Sequence, residues 1–234
     1  MTSPAQKSHW PSTREQVEQL NDQLATEHPI DDYYTRSPWI IRRLQRQRLD
    51  VISRMVGSSA NLRILEIGSG GGQVLQLFKD AKLTAVDVSQ VYLDTAKKNL
   101  AGYDVAFIKG QIEDLALPAA SFDRVICTEV LEHTTAPERI LSEIRRLLSP
   151  TGRAVITVPI DPVIDTAKRL LRFSPVGLLL RDRIQWGGDK YHLHKWWPWQ
   201  FQRMLTREFV VDERSLVPTP LLPVHACFAC RPKA

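Results

Sequence analysis

Apolar and polar positions switch between two periods along this chain, and the switches mark its elements. Leu62, Ile64, Leu65 and Ile67 form an apolar run that breaks into Gly68, Gly70, Gly71 and Gly72, after which Val74, Leu75, Leu77 and Phe78 recur at helical spacing. That pattern predicts a buried strand, a tight glycine turn and a helix over 72–79. The same alternation continues as strand 82–88, helix 90–100, strand 104–109, strand 122–128, helix 136–148 and strand 153–159. Repeats of this kind build a mostly parallel sheet with helices on both faces. Ser89 fits an N-cap, Thr135 with Glu138 a capping box, and Ser149-Pro150-Thr151-Gly152 the turn into the fifth strand.

Ahead of the first strand, Ser12 with Glu15 opens a helix to about Thr26. Its apolar face (Val17, Leu20, Leu24) is thin, so it packs loosely or covers something. A turn-rich linker holding Tyr33 and Tyr34 leads to helix 39–55, with Ile40, Ile41, Leu44, Leu49, Ile52 and Val56 inward and a face rich in arginine. Beyond the fifth strand, 160–186 reads as two short amphipathic helices hinged at Pro175, suiting a helical cap, a lid or an interfacial patch. Helix 198–207 and an antiparallel hairpin, 209–217 with 224–231, close the chain.

Composition narrows the classes. At 234 residues, 43% hydrophobic and 24% charged, this is a soluble globular chain large enough for a real core. A net charge of +5 suits an anionic substrate, a membrane surface or a plainly solvated basic face. Three cysteines give no disulfide framework and indicate a reducing compartment. Cys227 and Cys230 form a lone C-x-x-C on a strand, which puts them on opposite faces and argues against zinc. Residues 1–30 are polar, so no secretory signal is expected, and no apolar stretch is long enough to span a bilayer. A cytoplasmic location is expected, with peripheral membrane contact through the amphipathic insertion. All six tryptophans (Trp10, Trp39, Trp186, Trp196, Trp197, Trp199) lie outside the glycine-loop core, which suits an apolar pocket, a lipid interface or ordinary packing of cap on core.

Asp87, at the tip of the second strand, is placed to hold two ribose hydroxyls. A dinucleotide fingerprint would end in glycine at the position of Gln73, so a nucleoside without phosphates fits better. Here the chain resembles the class I S-adenosylmethionine-dependent methyltransferases, in their small-molecule, ubiquinone-biosynthesis-like branch. Glu66, Gly68, Ser69, Gly70 and Gly72 look like that family's E/D-x-G-x-G-x-G loop, and Asp87, followed by Val88, like its ribose-binding acid. Lys109–Leu115 corresponds to the family's G-D-A-E-x-L stretch. There Gln111 replaces the acid that takes the adenine amino group, and the Ile112 N–H takes a ring nitrogen. Ser121–Ile126 looks like the F-D-x-V strand. Thr128–His133 (TEVLEH) resembles the E-V-L-E-H segment, with the Thr128 backbone near the methionyl amine. Arg48 stands where relatives carry an arginine for the ligand carboxylate.

The resemblance implies a Rossmann-like, seven-stranded, mostly parallel sheet with an antiparallel last strand, helices on both faces and a helical cap. It implies an N-terminal segment 1–58 covering the ligand site and a methyltransferase domain 59–234 with a lid at about 160–195. It further implies S-adenosylmethionine as cofactor and methyl transfer to oxygen or carbon of a small, largely apolar, aromatic or lipid-like acceptor. His133 is the candidate general base, with a structural role as the alternative; His192 and His194 are further candidates that depend on lid closure. No metal is expected, because no carboxylate or cysteine completes a spaced set around the H-x-H of His192 and His194. Two other classes stay open: a nicotinamide oxidoreductase, and a non-catalytic binding module. Nucleic acid is not an expected partner, since no N/D-P-P-Y/F motif follows the fourth strand.

Overall fold

The structure is a computed structural model describing residues 13–27, 34–174 and 191–233. Its helices are α1 (Arg14–Glu27), α2 (Trp39–Val56), α3 (Gln90–Asn99), α4 (Pro137–Leu147), α5 (Asp161–Arg172) and α6 (Pro198–Leu205). Its strands are β1 (Arg63–Ile67), β2 (Lys82–Asp87), β3 (Val105–Lys109), β4 (Phe122–Thr128), β5 (Leu148–Pro159), β6 (Phe209–Val217) and β7 (His225–Pro232). They form one sheet in the order β3-β2-β1-β4-β5-β7-β6. The first five strands pair in parallel, and β7 enters antiparallel between β5 and β6. The chain therefore starts at the centre, runs out to β3 and restarts on the other side of β1. This reversal at β1/β4 opens a crevice over the carboxyl ends of the strands, where open sheets bind ligands.

Each face of the sheet buries its own apolar layer. Leu65, Ile67, Val125 and Cys127 meet Ile140, Ile144 and Leu147 of α4 and Phe201 of α6 on one face. Ile64, Ala85 and Ile126 meet Ile52, Met55 and Val56 of α2 and Ala96 of α3 on the other. Cys230 belongs to the first layer and Cys227 to the second, so the C-x-x-C pair does lie on opposite faces.

Several local expectations are corrected. The predicted helix 72–79 contracts to a 3-10 turn, Leu75–Leu77. Three glycines at its start offer little helical stabilisation, and Gly72, at φ +81°, sits so close to α3 that a Cβ would lie 2.8 Å from Leu100 Cδ1. A capping box is formed by Thr13 and Gln16, each backbone N–H donating to the other's side chain at 3.3 Å; Ser12 of the expected Ser12–Glu15 box lies outside the described residues. The Thr135–Glu138 box gives way to Thr134, whose hydroxyl accepts from the Ala136 N–H. The Ser149–Gly152 turn is a loop within β5, whose Leu148 pairs with Phe122 and Arg153 with Arg124. Ile40, expected inward, is 52% exposed. Trp10, Tyr33, Trp186 and the second amphipathic segment, 176–183, lie outside the described residues.

Helix α2 is fixed to the amino edge of the sheet through its last carbonyls. Arg124 Nε donates to the Val56 carbonyl at 2.9 Å and Arg153 Nη1 to the Met55 carbonyl at 3.0 Å. These cations also complement the helix dipole. Replacing Arg124 by Met is expected to lower stability by on the order of 1 kcal/mol, read as a fall in the urea midpoint with an unchanged slope.

Candidate functional site

A cavity of about 660 Å³ opens over the crevice, within the usual range for small-molecule sites. The residues singled out in the sequence for cofactor binding converge on it. Glu66, Gly68, Ser69 and Gly70 come from the end of β1, Asp87 and Val88 from β2, and Gln111 and Ile112 from the turn after β3. Thr128 comes from the tip of β4, and Arg48 from α2. His133 also lines the cavity; His192 and His194 do not. Helix α1 closes one side with Val17, Leu20 and Leu24, the thin apolar face of the sequence pattern.

Asp87 organises the floor. Its Oδ2 accepts from the Gly70 N–H at 2.8 Å and its Oδ1 from the Ser89 N–H at 2.9 Å. Burial raises its pKa to about 6 against these stabilising bonds. The Ser89 hydroxyl caps α3 by accepting from the Tyr92 N–H at 3.3 Å, and donates to Asp22 of α1. Lys109 pairs with Glu18 at 2.8 Å and adds a second tie between α1 and the sheet. At the glycine turn, Gly68 has φ +68° and an added Cβ would meet Val130 Cγ2 at 2.3 Å, so only glycine fits.

Beside β4 lies a network the sequence reading missed. Arg48 is buried; its Nη2 donates to Tyr34 Oη at 3.0 Å and its Nη1 lies 3.4 Å from Glu129 Oε1. Thr157 Oγ1 donates to the same Glu129 oxygen at 2.8 Å, and His225 Nε2 lies 3.4 Å from the other. Burial works to raise the Glu129 carboxyl, but His225, Arg48 and Thr157 together bring it down to about 2. The available signals were Arg48, singled out for the ligand carboxylate, and Glu129 inside the TEVLEH segment; Tyr34 and His225 have no local pattern that would mark them.

The histidines form a second cluster. His133 Nδ1 donates to the Tyr191 carbonyl at 3.1 Å, and its ring meets His192 edge-on at 4.8 Å. His192 Nδ1 lies 2.8 Å from Asp161 Oδ2. His194 donates to the Thr134 carbonyl at 3.0 Å and stacks on Trp196. The carboxylate that local spacing lacked comes from across the fold: ligand-type atoms of Glu132, His133 and His192 lie within 4.8 Å of one another. Burial, then the charge of Glu129, pushes the Glu132 carboxyl well above the usual range. None of the described tryptophans, Trp39, Trp196, Trp197 or Trp199, lines the cavity. No described helix is long and apolar enough to cross a membrane.

Comparison with known proteins agrees with this geometry. A family model described as a methyltransferase domain matches residues 65–156. The mitochondrial ubiquinone biosynthesis O-methyltransferase of Schizosaccharomyces pombe is 35% identical over 129 residues, 49% of this chain and 46% of that protein. The ubiquinone biosynthesis O-methyltransferase of Dechloromonas aromatica is 34% identical over 116 residues, 47% of this chain and 49% of that protein. Over residues 65–156 the chain is thus similar to a methyltransferase domain. It spans about half the length of these relatives. In fold, the magnesium protoporphyrin IX methyltransferase of Synechocystis PCC 6803, solved with bound S-adenosylhomocysteine, superposes with a TM-score of 0.69. That match covers 94% of this chain and 100% of the other at 14% identity.

The resemblance implies S-adenosylmethionine as cofactor, and the residues present fit it. Among the described residues, the buried Ser69 Oγ and Glu66 Oε2 have no hydrogen-bond partner, and both residues line the cavity. Orphaned polar atoms of this kind are groups that a polar ligand satisfies.

The raised pKa of Asp87 has a sign that can be checked. Below about pH 4 the group is protonated folded and unfolded, and burial carries no charge penalty. As pH rises through about 6 the folded state must ionise it, and that stability is lost. Asp87→Asn removes the titration. Between pH 4 and 7 its urea-unfolding stability is expected to fall by on the order of 3 kcal/mol less than that of the wild type.

Proposed function

We propose that this protein transfers a methyl group from S-adenosylmethionine to oxygen or carbon of a small, largely apolar, aromatic or lipid-like acceptor. The observation that carries the reading is the convergence of Gly68, Asp87, Gln111 and Thr128 on one cavity. In the resemblance these hold the methionyl tail, the ribose and the adenine. Bound S-adenosylmethionine supplies an electrophilic methyl group on a sulfonium.

The chain's own residues bind, orient and exclude water. Asp87 offers its remaining lone pairs to the two ribose hydroxyls, and the Gly70 and Ser89 N–H groups keep its carboxylate in place. Gln111 stands in for an acid at the adenine end, its amide oxygen accepting from the amino group. Arg48 is the ligand-carboxylate residue, with Tyr34 fixing its guanidinium. Apolar residues of α1 and α4, including Val17, Leu20 and Ile140, support an acceptor with little polar surface and keep water out. His133 is the base for an acceptor that arrives as a phenol or alcohol. Its Nδ1–H is committed to the Tyr191 carbonyl, which leaves the lone pair on Nε2.

The segment 1–58 acts as a cover on the domain 59–234, a role supported by the α1 residues in the cavity wall. Peripheral membrane contact is supported by the end of α5, where Leu170 and the following Phe173 are 71% and 81% exposed beside Arg169 and Arg172.

Calorimetric titration tests the cofactor. S-adenosylmethionine and S-adenosylhomocysteine are expected to bind, NADH is not, and Asp87→Ala abolishes binding of the first two. NADH binding would sink this reading in favour of an oxidoreductase. Tight S-adenosylmethionine binding without turnover on phenols, quinols or prenylated and acyl lipids would instead favour a non-catalytic module.

A further inference from the structure

His133 meets the chain around His192 in two ways. Its Nδ1–H donates at 3.1 Å to the Tyr191 carbonyl, the oxygen of the peptide unit that joins Tyr191 to His192. Its ring also lies edge-on against the His192 ring, with centroids 4.8 Å apart and planes at 71°. A ring held by one hydrogen bond can still turn about that bond, and a second ring packed against it removes this freedom. Whatever fixes His192 therefore fixes His133.

His192 is fixed through its backbone and its side chain. The following Leu193 and His194 N–H groups donate to the Glu132 carbonyl at 2.8 and 3.3 Å. The His192 side chain donates from Nδ1 to Asp161 Oδ2 at 2.8 Å. Asp161 is the first residue of α5 and is 3% exposed. The helix dipole favours a carboxylate there, and a charge-assisted bond of this length in a buried place is a strong one. A neighbouring tie to α5, from Lys195 to Asp165 at 2.7 Å, has both side chains partly in water, where ion pairs contribute little. Asp161 thus fastens the His192 ring to the carboxyl edge of the sheet. His192, a candidate base in the sequence, does not line the cavity, and neither does Asp161. Both reach the cavity through His133, which does line it.

We propose that Asp161 and His192 are positioning residues for His133, holding its imidazole in the tautomer that carries the proton on Nδ1 and offers the Nε2 lone pair to the acceptor. The bond to Asp161 keeps the His192 ring against His133 and sets the peptide unit whose carbonyl His133 binds. The hydrogen bond at one ring nitrogen decides which nitrogen is left to act as base. This rests on the S-adenosylmethionine reading with His133 as base, and gives Asp161 a part that no sequence motif marks.

Nitrogen spectra of the full chain carrying nitrogen-15 histidine read the tautomer, because protonated and unprotonated ring nitrogens resonate far apart. They are taken at about pH 8.5, well above the ordinary histidine range, and assigned with His133→Gln and His192→Gln. In the wild type both rings are expected to carry the proton on Nδ1. In Asp161→Ala the His133 signals are expected to shift to the averaged positions of a free imidazole, while calorimetry finds S-adenosylhomocysteine bound within about twofold of the wild type. Asp161→Asn, whose amide oxygen still accepts from His192, is expected to restore the wild-type pattern. A tie that only braced α5 would change stability and leave the His133 signals where they are. Unchanged His133 signals in Asp161→Ala overturn the inference, as does a wild-type His133 with its proton on Nε2. Failure of the wild-type protein to bind S-adenosylhomocysteine overturns the cofactor reading, and this inference with it. Should Asp161→Ala not fold, His192→Phe keeps a ring beside His133 and removes the bond to Asp161. The same shift of the His133 signals is then expected, and its absence overturns the proposal.

Discussion

Two backbone N–H groups close on the Asp87 carboxylate, and three other segments depend on that contact. Gly70 brings in the glycine turn after β1, and Ser89 brings in the start of α3. The hydroxyl of the same Ser89 caps α3 and reaches Asp22 of α1. One acid at a strand tip thus fixes the turn that a nucleoside lies against, orients the following helix and places the covering helix. The arrangement is expensive. Burial works against ionisation of Asp87, and Glu66 beside it is pushed well above the carboxylate range by burial and by Asp87 itself. Acids in this state do more for a ligand than for the fold.

Much of the framework was legible because it is periodic. β4 and β6 begin and end where the apolar pattern put them, since burial on each strand follows the sheet. The glycine loop and Asp87 were legible as chemistry, because positive φ and a strand-tip carboxylate each need particular residue types. The helix after the loop was overcalled. Val74, Leu75 and Phe78 do bury, but a tight packing of Gly72 on Leu100 leaves room only for a 3-10 turn. Periodicity reports which residues face the core, and here the local backbone was decided by crowding.

Contacts that join distant segments left no such trace. Tyr34, Arg48, Glu129, Thr157 and His225 come from five parts of the chain and meet only because the strand order places β4 beside β5 and β5 beside β7. Glu132 and His192 meet in the same way, with the Leu193 N–H donating to the Glu132 carbonyl at 2.8 Å. A search for metal-type or catalytic spacing along the sequence looks for neighbours within one element. It passes over a set assembled across a sheet edge. Arg48 is the exception: singled out in the sequence for the ligand carboxylate, it is almost wholly buried at the cavity wall.

The thin apolar stripe of α1 has a thermodynamic meaning. Val17, Leu20 and Leu24 are half-buried against a cavity rather than against packed side chains. Among the described residues of this helix, Ala25 alone reaches full burial. The hydrophobic layer that would normally fasten such a helix is therefore incomplete on the protein side, and whatever fills the cavity completes it. Occupancy and the docking of α1 then share one free energy, so a bound molecule acts on this helix as a piece of its core.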